Sequence, residues 1–206
     1  LELPYTLFEN EEKVLKQLIE AKKKGVTRTQ ANNLAHIYLS KQAGLAFCVD
    51  WRLNTLNSHA AQYLENLGAK QITLSAESSL SNAKRVKTTT EKGVIVYGHL
   101  PVMTYRVCPI KSEIGCKNCK GKGQLTYRKG NKFPLMCSDA AAFLYNPQPI
   151  YLPDRLDELH GMHFGTLYFS LESKDECSQI INDYLQGKMQ KEKGSYTRGL
   201  LYRKVQ

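Results

Sequence analysis

Four cysteines near the middle of the chain, Cys108, Cys116, Cys119 and Cys137, have the spacing C-x7-C-x2-C-x17-C. Cys116 and Cys119 form a C-x-x-C knuckle, in which one tight turn points two thiolates at a single ion. Gly115, Gly121 and Gly123 give that turn a permissive backbone. Cys108 and Cys137 approach from the flanking segments and complete a possible four-thiolate shell, which suits either a structural zinc or an iron–sulfur cluster of the 4Fe–4S type. Spacing alone does not choose between them. The competing reading is a set of unrelated thiols, and a knuckle with two flanking partners argues against it. Cys48 sits in an apolar run and Cys177 in a helical pattern, so both read as ordinary packing residues.

The same segment is basic. Lys111, Lys117, Lys120, Lys122, Arg128, Lys129 and Lys132 are interleaved with the cysteines and Tyr127, within a chain of 206 residues and formal net charge +10. Such a balance is unusual for an enzyme of small metabolites and points to a polyanionic partner, RNA being the natural one. Further basic groups lie at Lys22 to Lys24 and between Lys188 and Lys204, where a plain solvated surface explains them as well. No apolar run is long enough to cross a bilayer, which leaves no membrane role. Four cysteines committed to a metal fit a reducing, cytoplasmic compartment. The start at Leu1 without Met reads as a fragment of something longer.

Elements that would carry these residues follow from periodicity. Leu3 to Phe8 reads as a strand, and Glu11 to Lys24 as an amphipathic helix with Val14, Leu15, Leu18 and Ile19 on one face. Gln30 to Gln42 repeats the helical period, and Leu45 to Val49 is a strand apolar on both faces that ends at Asp50. A helix capped at Asn57-Ser58, a strand Gln71 to Leu74, a short helix after Ser79 and a strand Val94 to Tyr97 continue a βα rhythm. Phe164 to Ser170 and Lys174 to Leu185 add a strand and a helix. The expected fold class is α/β, a partial (β/α) barrel-like parallel sheet with an inserted cysteine-rich metal-binding segment. Its divisions are βα units over 1–106, the cysteine segment over 107–145, and a closing strand, helix and basic tail over 146–206.

In parallel α/β architecture, polar groups at the carboxyl ends of strands face the ligand. Asp50, Glu77 and His99 hold such positions and are the candidate catalytic residues. Asn33, Tyr97, Arg106, Tyr127, Arg128 and Lys129 are candidate substrate contacts: the aromatic rings to stack on a base, the cations to pair with phosphate. Each has a bland counterpart. Asn33 and His36, one helical turn apart, fit capping and packing. Glu77 fits a helix-dipole carboxylate, and Arg106 a surface ion pair.

Several separated strings resemble one family. Asp50-Trp51-Arg52-Leu53-Asn54-Thr55-Leu56-Asn57-Ser58, Ile72-Thr73-Leu74-Ser75-Ala76-Glu77, Val94-Ile95-Val96-Tyr97-Gly98-His99-Leu100-Pro101-Val102-Met103, Leu125-Thr126-Tyr127-Arg128-Lys129-Gly130 and Pro149-Ile150-Tyr151-Leu152-Pro153-Asp154-Arg155-Leu156 together resemble the C-terminal part of peptidase family U32, the collagenase-like proteases. The order of the strings carries the likeness, which runs from about Leu1 to Arg203. The chain departs from the family pattern at His99, where Arg is usual, and at Tyr127, where Asp is usual. The resemblance implies a (β/α) barrel and two competing activities. One is a peptidase; the other is tRNA or rRNA base hydroxylation, or oxygen-independent quinone hydroxylation, with a cysteine-ligated iron–sulfur cluster. A peptidase needs a nucleophile with a base in reach, or a metal with an open position. A closed four-thiolate shell offers neither, whereas a cluster beside a basic, aromatic surface supplies electrons next to RNA. A third reading, a non-catalytic zinc-containing RNA-binding module, leaves the polar strand ends unexplained.

Overall fold

The computed structural model describes all residues except 8, 9, 129, 139, 140 and 204–206. The chain runs through α1 (Glu11–Lys23), β1 (Arg28–Ala31), α2 (Leu34–Gln42), β2 (Ala46–Val49), α3 (Ser58–Asn66), β3 (Gln71–Thr73), α4 (Leu80–Arg85) and β4 (Glu91–Gly98). It then crosses into β5 (Pro101–Tyr105), α5 (Lys111–Ile114), α6 (Cys116–Cys119), β6 (Lys122–Thr126), β7 (Lys132–Ser138) and β8 (Ala141–Tyr145), and returns through β9 (Ile150–Tyr151), β10 (Phe164–Tyr168) and α7 (Lys174–Gln186). Two sheets result. The first has the order β1-β2-β3-β4-β10, all pairs parallel, and curls as part of a barrel, with β9 antiparallel against β4. The second, β5-β8-β7-β6, is antiparallel throughout.

Local chemistry sets the helix ends. Asn33, Asn57, Ser79 and Ser173 each accept a backbone N–H at the start of a helix, and Ser173 with Glu176 completes a reciprocal capping box on α7. Helix α1 carries Glu11 and Glu12 in its first turn and Lys22 and Lys23 in its last, which complements its dipole, and buries Val14 and Leu18. The Lys92 ammonium is buried and donates to the carbonyls of Ala83, Lys84 and Val86, closing the C-terminal end of α4. Gly98, at φ +148°, lies where a Cβ would come within 2.5 Å of the Tyr168 carbonyl. Only glycine there lets the ends of β4 and β10 approach this closely.

The main core lies between the parallel sheet and its helices, with Val49, Ile72, Leu74, Val94 and Val96 at its centre. Residues Leu3 and Leu7 are buried against α1 and Leu45 and do not form the expected strand. An isolated parallel bridge from Glu2 to Gln30 is what this segment contributes to the sheet, and Phe8 lies outside the described residues. The strand that follows is β1, in a stretch where the helical period of Gln30 to Gln42 begins too early; the helix starts at Leu34.

Candidate active site at the strand carboxyl ends

Parallel pairing puts the carboxyl ends of β1 to β4 and β10 on one side. Arg52 dominates that side. Asp50 ends β2 and caps a single 3-10 turn, Trp51–Leu53, by accepting the Arg52 N–H at 3.0 Å. The turn sends the Arg52 guanidinium back over the sheet, where Nη1 donates to Asp50 Oδ1 at 3.3 Å and to Glu2 Oε1 at 3.4 Å, and Nη2 donates to the Tyr168 hydroxyl. Tyr5, Trp51 and Tyr168 surround it, with ring centroids 4.5, 5.3 and 5.0 Å from its central carbon. The side chains of Arg52 and Asp50 are 6 % and 7 % exposed. Glu2 is bridged to the β1 edge and Tyr168 belongs to β10 at the opposite edge, so one guanidinium ties both edges of the curled sheet to the end of β2. Burial pushes the Asp50 carboxyl up, and the adjacent Arg52 charge pulls against that shift.

Cavities open on either side of this clasp. One of about 620 Å³ is lined by Arg52, Tyr168, Tyr145, Phe143, Tyr5 and Leu18. Another of about 510 Å³ lies on the concave face, among Gln30, Cys48, Asp50, Gln71, Thr73 and Thr166. Among the described residues, the buried side-chain polar atoms with no partner are Asn32 Nδ2, Trp51 Nε1, Arg52 Nε and Thr55 Oγ1. All four follow β1 or β2 at this end of the sheet. Protein interiors rarely leave such groups unpaired, and their concentration here marks a place for water or ligand.

His36, on α2, is fully buried. Its Nδ1 accepts the Asn32 N–H at 3.4 Å, and Asn33 Nδ2 lies 3.3 Å from its Nε2. Asn33 is the N-cap of that helix, so its side chain is spent on local structure. Burial first, and the Arg52 charge second, hold the His36 imidazole down at about 4. Its folded value lies below the unfolded one, so the stability it leaves intact above about pH 6.5 is lost as pH falls toward 4. Urea titrations at pH 7.5 and pH 5 are expected to differ by about 1–2 kcal/mol from this group, after allowance for screening, and His36→Gln should remove that difference.

The other two candidate catalytic residues have separate settings. His99 meets the Asn146 carbonyl through Nδ1 at 2.8 Å, and its Nε2 is 3.9 Å from Glu172. Glu172 in turn accepts the Tyr97 hydroxyl at 2.9 Å and the backbone N–H groups of Ser170 and Leu171. Tyr97 is fully buried against Tyr151 and Phe169, which places its ring in the core, beside a cavity of only about 80 Å³ shared with His99 and Glu172. Burial pushes its phenol far above the usual range, and the Glu172 charge adds to the effect. Glu77 is exposed after β3, where Ser75 Oγ accepts its N–H at 3.2 Å and also bonds Asn54. Asp50, Glu77 and His99 therefore share one side of the sheet without sharing hydrogen-bond partners.

The second sheet carries the thiols. Cys108 precedes α5, Cys116 and Cys119 bound α6, and Cys137 is on β7, where its N–H donates to the Gly121 carbonyl at 2.8 Å. All four are free, and Cys108 and Cys119 pack against Ile110, Leu135, Ala142 and Leu144. Partial desolvation, a hydrogen bond with Cys108, and the charges of Cys108, Cys119 and Cys116 push the Cys137 thiol up to about 11, so the four share a neighbourhood. They are not drawn into a ligand shell: among the described residues no group of three or more His, Cys, Asp or Glu is arranged to hold a metal ion. In donor chemistry alone, four thiols would suit a thiophilic centre. Lys117, Lys120, Lys122, Arg128 and Lys132 are exposed around them, and Tyr127 is 56 % exposed at the β6–β7 turn. Arg106 is exposed just before Cys108; Lys129 lies outside the described residues.

Arg52, Tyr168 and Glu172 were not singled out by sequence reasoning. An arginine two residues after the aspartate that ends an apolar strand was the available signal for the first. The other two had none. The sequence model of peptidase family U32 matches residues 5–178. No curated protein and no solved structure matches the chain.

Proposed function

We propose that this chain, which belongs to peptidase family U32, acts in hydroxylation of tRNA or rRNA bases with a cysteine-held iron–sulfur cluster, and not in peptide hydrolysis. The observation that carries this reading is the shared neighbourhood of Cys108, Cys116, Cys119 and Cys137 beside exposed basic side chains. Those four thiols would hold a 4Fe–4S cluster, which supplies one-electron chemistry when bound. Strand β8 links the two regions. Ala142 pairs with Cys137, and Tyr145, three residues on and about 10 Å away along the strand, lines the cavity beside Arg52 and Tyr168.

The residues then divide the work. Lys117, Lys120, Lys122 and Arg128 meet phosphates, and Tyr127 stacks on an unpaired base. Asp50 stays beside Arg52 and orders the strand ends, while Glu77, exposed and next to a cavity, is the group able to take or give a proton at the substrate. The peptidase reading finds less support. Among the described residues no imidazole is hydrogen-bonded to a serine, threonine or cysteine side chain, so the nucleophile–base pair of a hydrolase is absent there. Among the described residues no helix is long and apolar enough to cross a membrane; a reducing cytoplasm is the compartment that free thiols and RNA both favour.

Binding of a labelled single-stranded RNA, followed by anisotropy over a range of salt, tests the reading. Affinity is expected to fall steeply with salt, and replacing Lys117, Lys120 and Arg128 by Ala should flatten the log–log slope by about two units. Glu77→Gln should leave the salt slope of that binding intact, since it removes no phosphate contact, and abolish base hydroxylation. RNA affinity that is absent or independent of salt, together with cleavage of unstructured protein lost in Glu77→Gln, makes the protein a peptidase.

A further inference from the structure

Where the two sheets meet, a third cavity of about 420 Å³ is lined by Trp51 after β2, Glu77 after β3, Gly98 ending β4, Leu100, Ile150 and, from the C-terminal segment, Arg203. Its size falls within the range of about 300–1,000 Å³ common for small-molecule sites, and it sits at the carboxyl ends of parallel strands, where ligands bind. Of its polar lining, Asn146, Gln148 and Thr197 are committed to neighbouring chain, whereas three groups are not. Among the described residues the Glu77 carboxylate and the Arg203 guanidinium make no hydrogen bond or ion pair, although both border one cavity with opposite charge. The Trp51 N–H is buried without an acceptor. That indole is held by packing, with the Arg52 guanidinium over its ring and Tyr168 edge-on at 6.4 Å. A flat wall, an acceptor, a forked donor and an indole N–H match one kind of ligand, a planar heteroaromatic ring with both carbonyl and N–H groups on its edge.

We propose that this cavity takes a single nucleobase turned out of its strand, stacked on Trp51 and read at its edge by Glu77 and Arg203. The inference rests on the RNA reading for the identity of the ring and on the cavity alone for its place. A base in this position is some distance from the cation-rich face of the cysteine sheet, which holds the adjoining backbone. The energy of unstacking the base is offset by the new stack on the indole.

Trp51 is the only tryptophan of the chain, so its emission reports on the cavity directly. The full chain is titrated with the four ribonucleoside monophosphates and, in parallel, with a labelled single-stranded RNA whose binding is read independently by anisotropy. The expected result is a saturable change of Trp51 emission with the RNA and with at least one nucleotide, and a tenfold or greater loss of that nucleotide's affinity in Glu77→Gln or Arg203→Gln. Both variants change exposed side chains, so folding is not at stake. RNA that binds by anisotropy but leaves Trp51 emission unchanged overturns the proposal and spares the RNA reading. Nucleotides that change the emission in the wild type and bind tenfold more weakly to Glu77→Gln, with no RNA binding, uphold the cavity and overturn the RNA reading. Silence in both titrations overturns both.

Discussion

Arg52→Met is expected to destabilise the protein by about 3–5 kcal/mol, because it leaves the Asp50 carboxylate buried without its counter-charge. Methionine roughly fills the space, so the loss is electrostatic and not a cavity effect. The same change cuts the bonds to Glu2 and Tyr168 that join the two edges of the sheet. For a chain of this size the melting temperature should fall by about 6–20 °C. Asp50→Asn placed in the Arg52→Met background should recover a large part of the loss, since the uncompensated charge is gone. Urea denaturation of the two variants and the wild type decides the matter. A single-variant effect within about 0.5 kcal/mol, or no recovery in the double variant, means that Arg52 does not act as a clasp.

The second large effect concerns the thiols. Full-length protein purified without oxygen is expected to contain iron and acid-labile sulfide and to absorb in the visible, and Cys116→Ser combined with Cys119→Ser should reduce both contents to near zero. Thiolate-held zinc sites contribute on the order of 10 kcal/mol to the fold of small modules, and a cysteine-held cluster ties the same segments together. Loss of the centre should therefore open the stretch from Val107 to Cys137 to limited proteolysis while leaving the parallel sheet protected. Stoichiometric zinc in a colourless protein would select the structural alternative and remove the electron carrier from the proposed reaction. If neither metal is present and all four thiols react freely with a thiol reagent in the protein as purified, the cysteines do not form a centre.

Much of the scaffold was legible in the sequence because its signals are local. Helices α3 and α7 follow from apolar residues at helical spacing behind a capping side chain, α1 from the same spacing stopped at Gly25, and β2 and β4 from short runs apolar on both faces. The strand β1 was missed because Arg-Thr-Gln-Ala has no such run. Thr29 and Ala31 face the core while Gln30 lines the polar concave side, a pattern that four residues cannot distinguish from a turn. Leu3 and Leu7 mimicked a strand because two leucines that pack on a helix need no ladder of hydrogen bonds. The basic cysteine segment was assigned no strands from sequence; they became visible once they were paired, since β6 and β7 alternate weakly and draw their order from each other.

The α/β class, the likeness to peptidase family U32, the cysteine spacing and the surplus of positive charge were all readable before folding, because each is carried by residue identity and local pattern. Which of the candidate residues meet is set by the order and curl of the strands. Arg52 lies 50 positions from Glu2 and 116 from Tyr168, and curling of the sheet brings both to its guanidinium. Tyr97 read as a ring for stacking until the fold buried it against Tyr151 and gave its hydroxyl to Glu172, 75 residues on. Periodicity fixes which face of an element is apolar, whereas the partner of a buried charge or hydroxyl depends on how distant strands are ordered and curled, which no local pattern records.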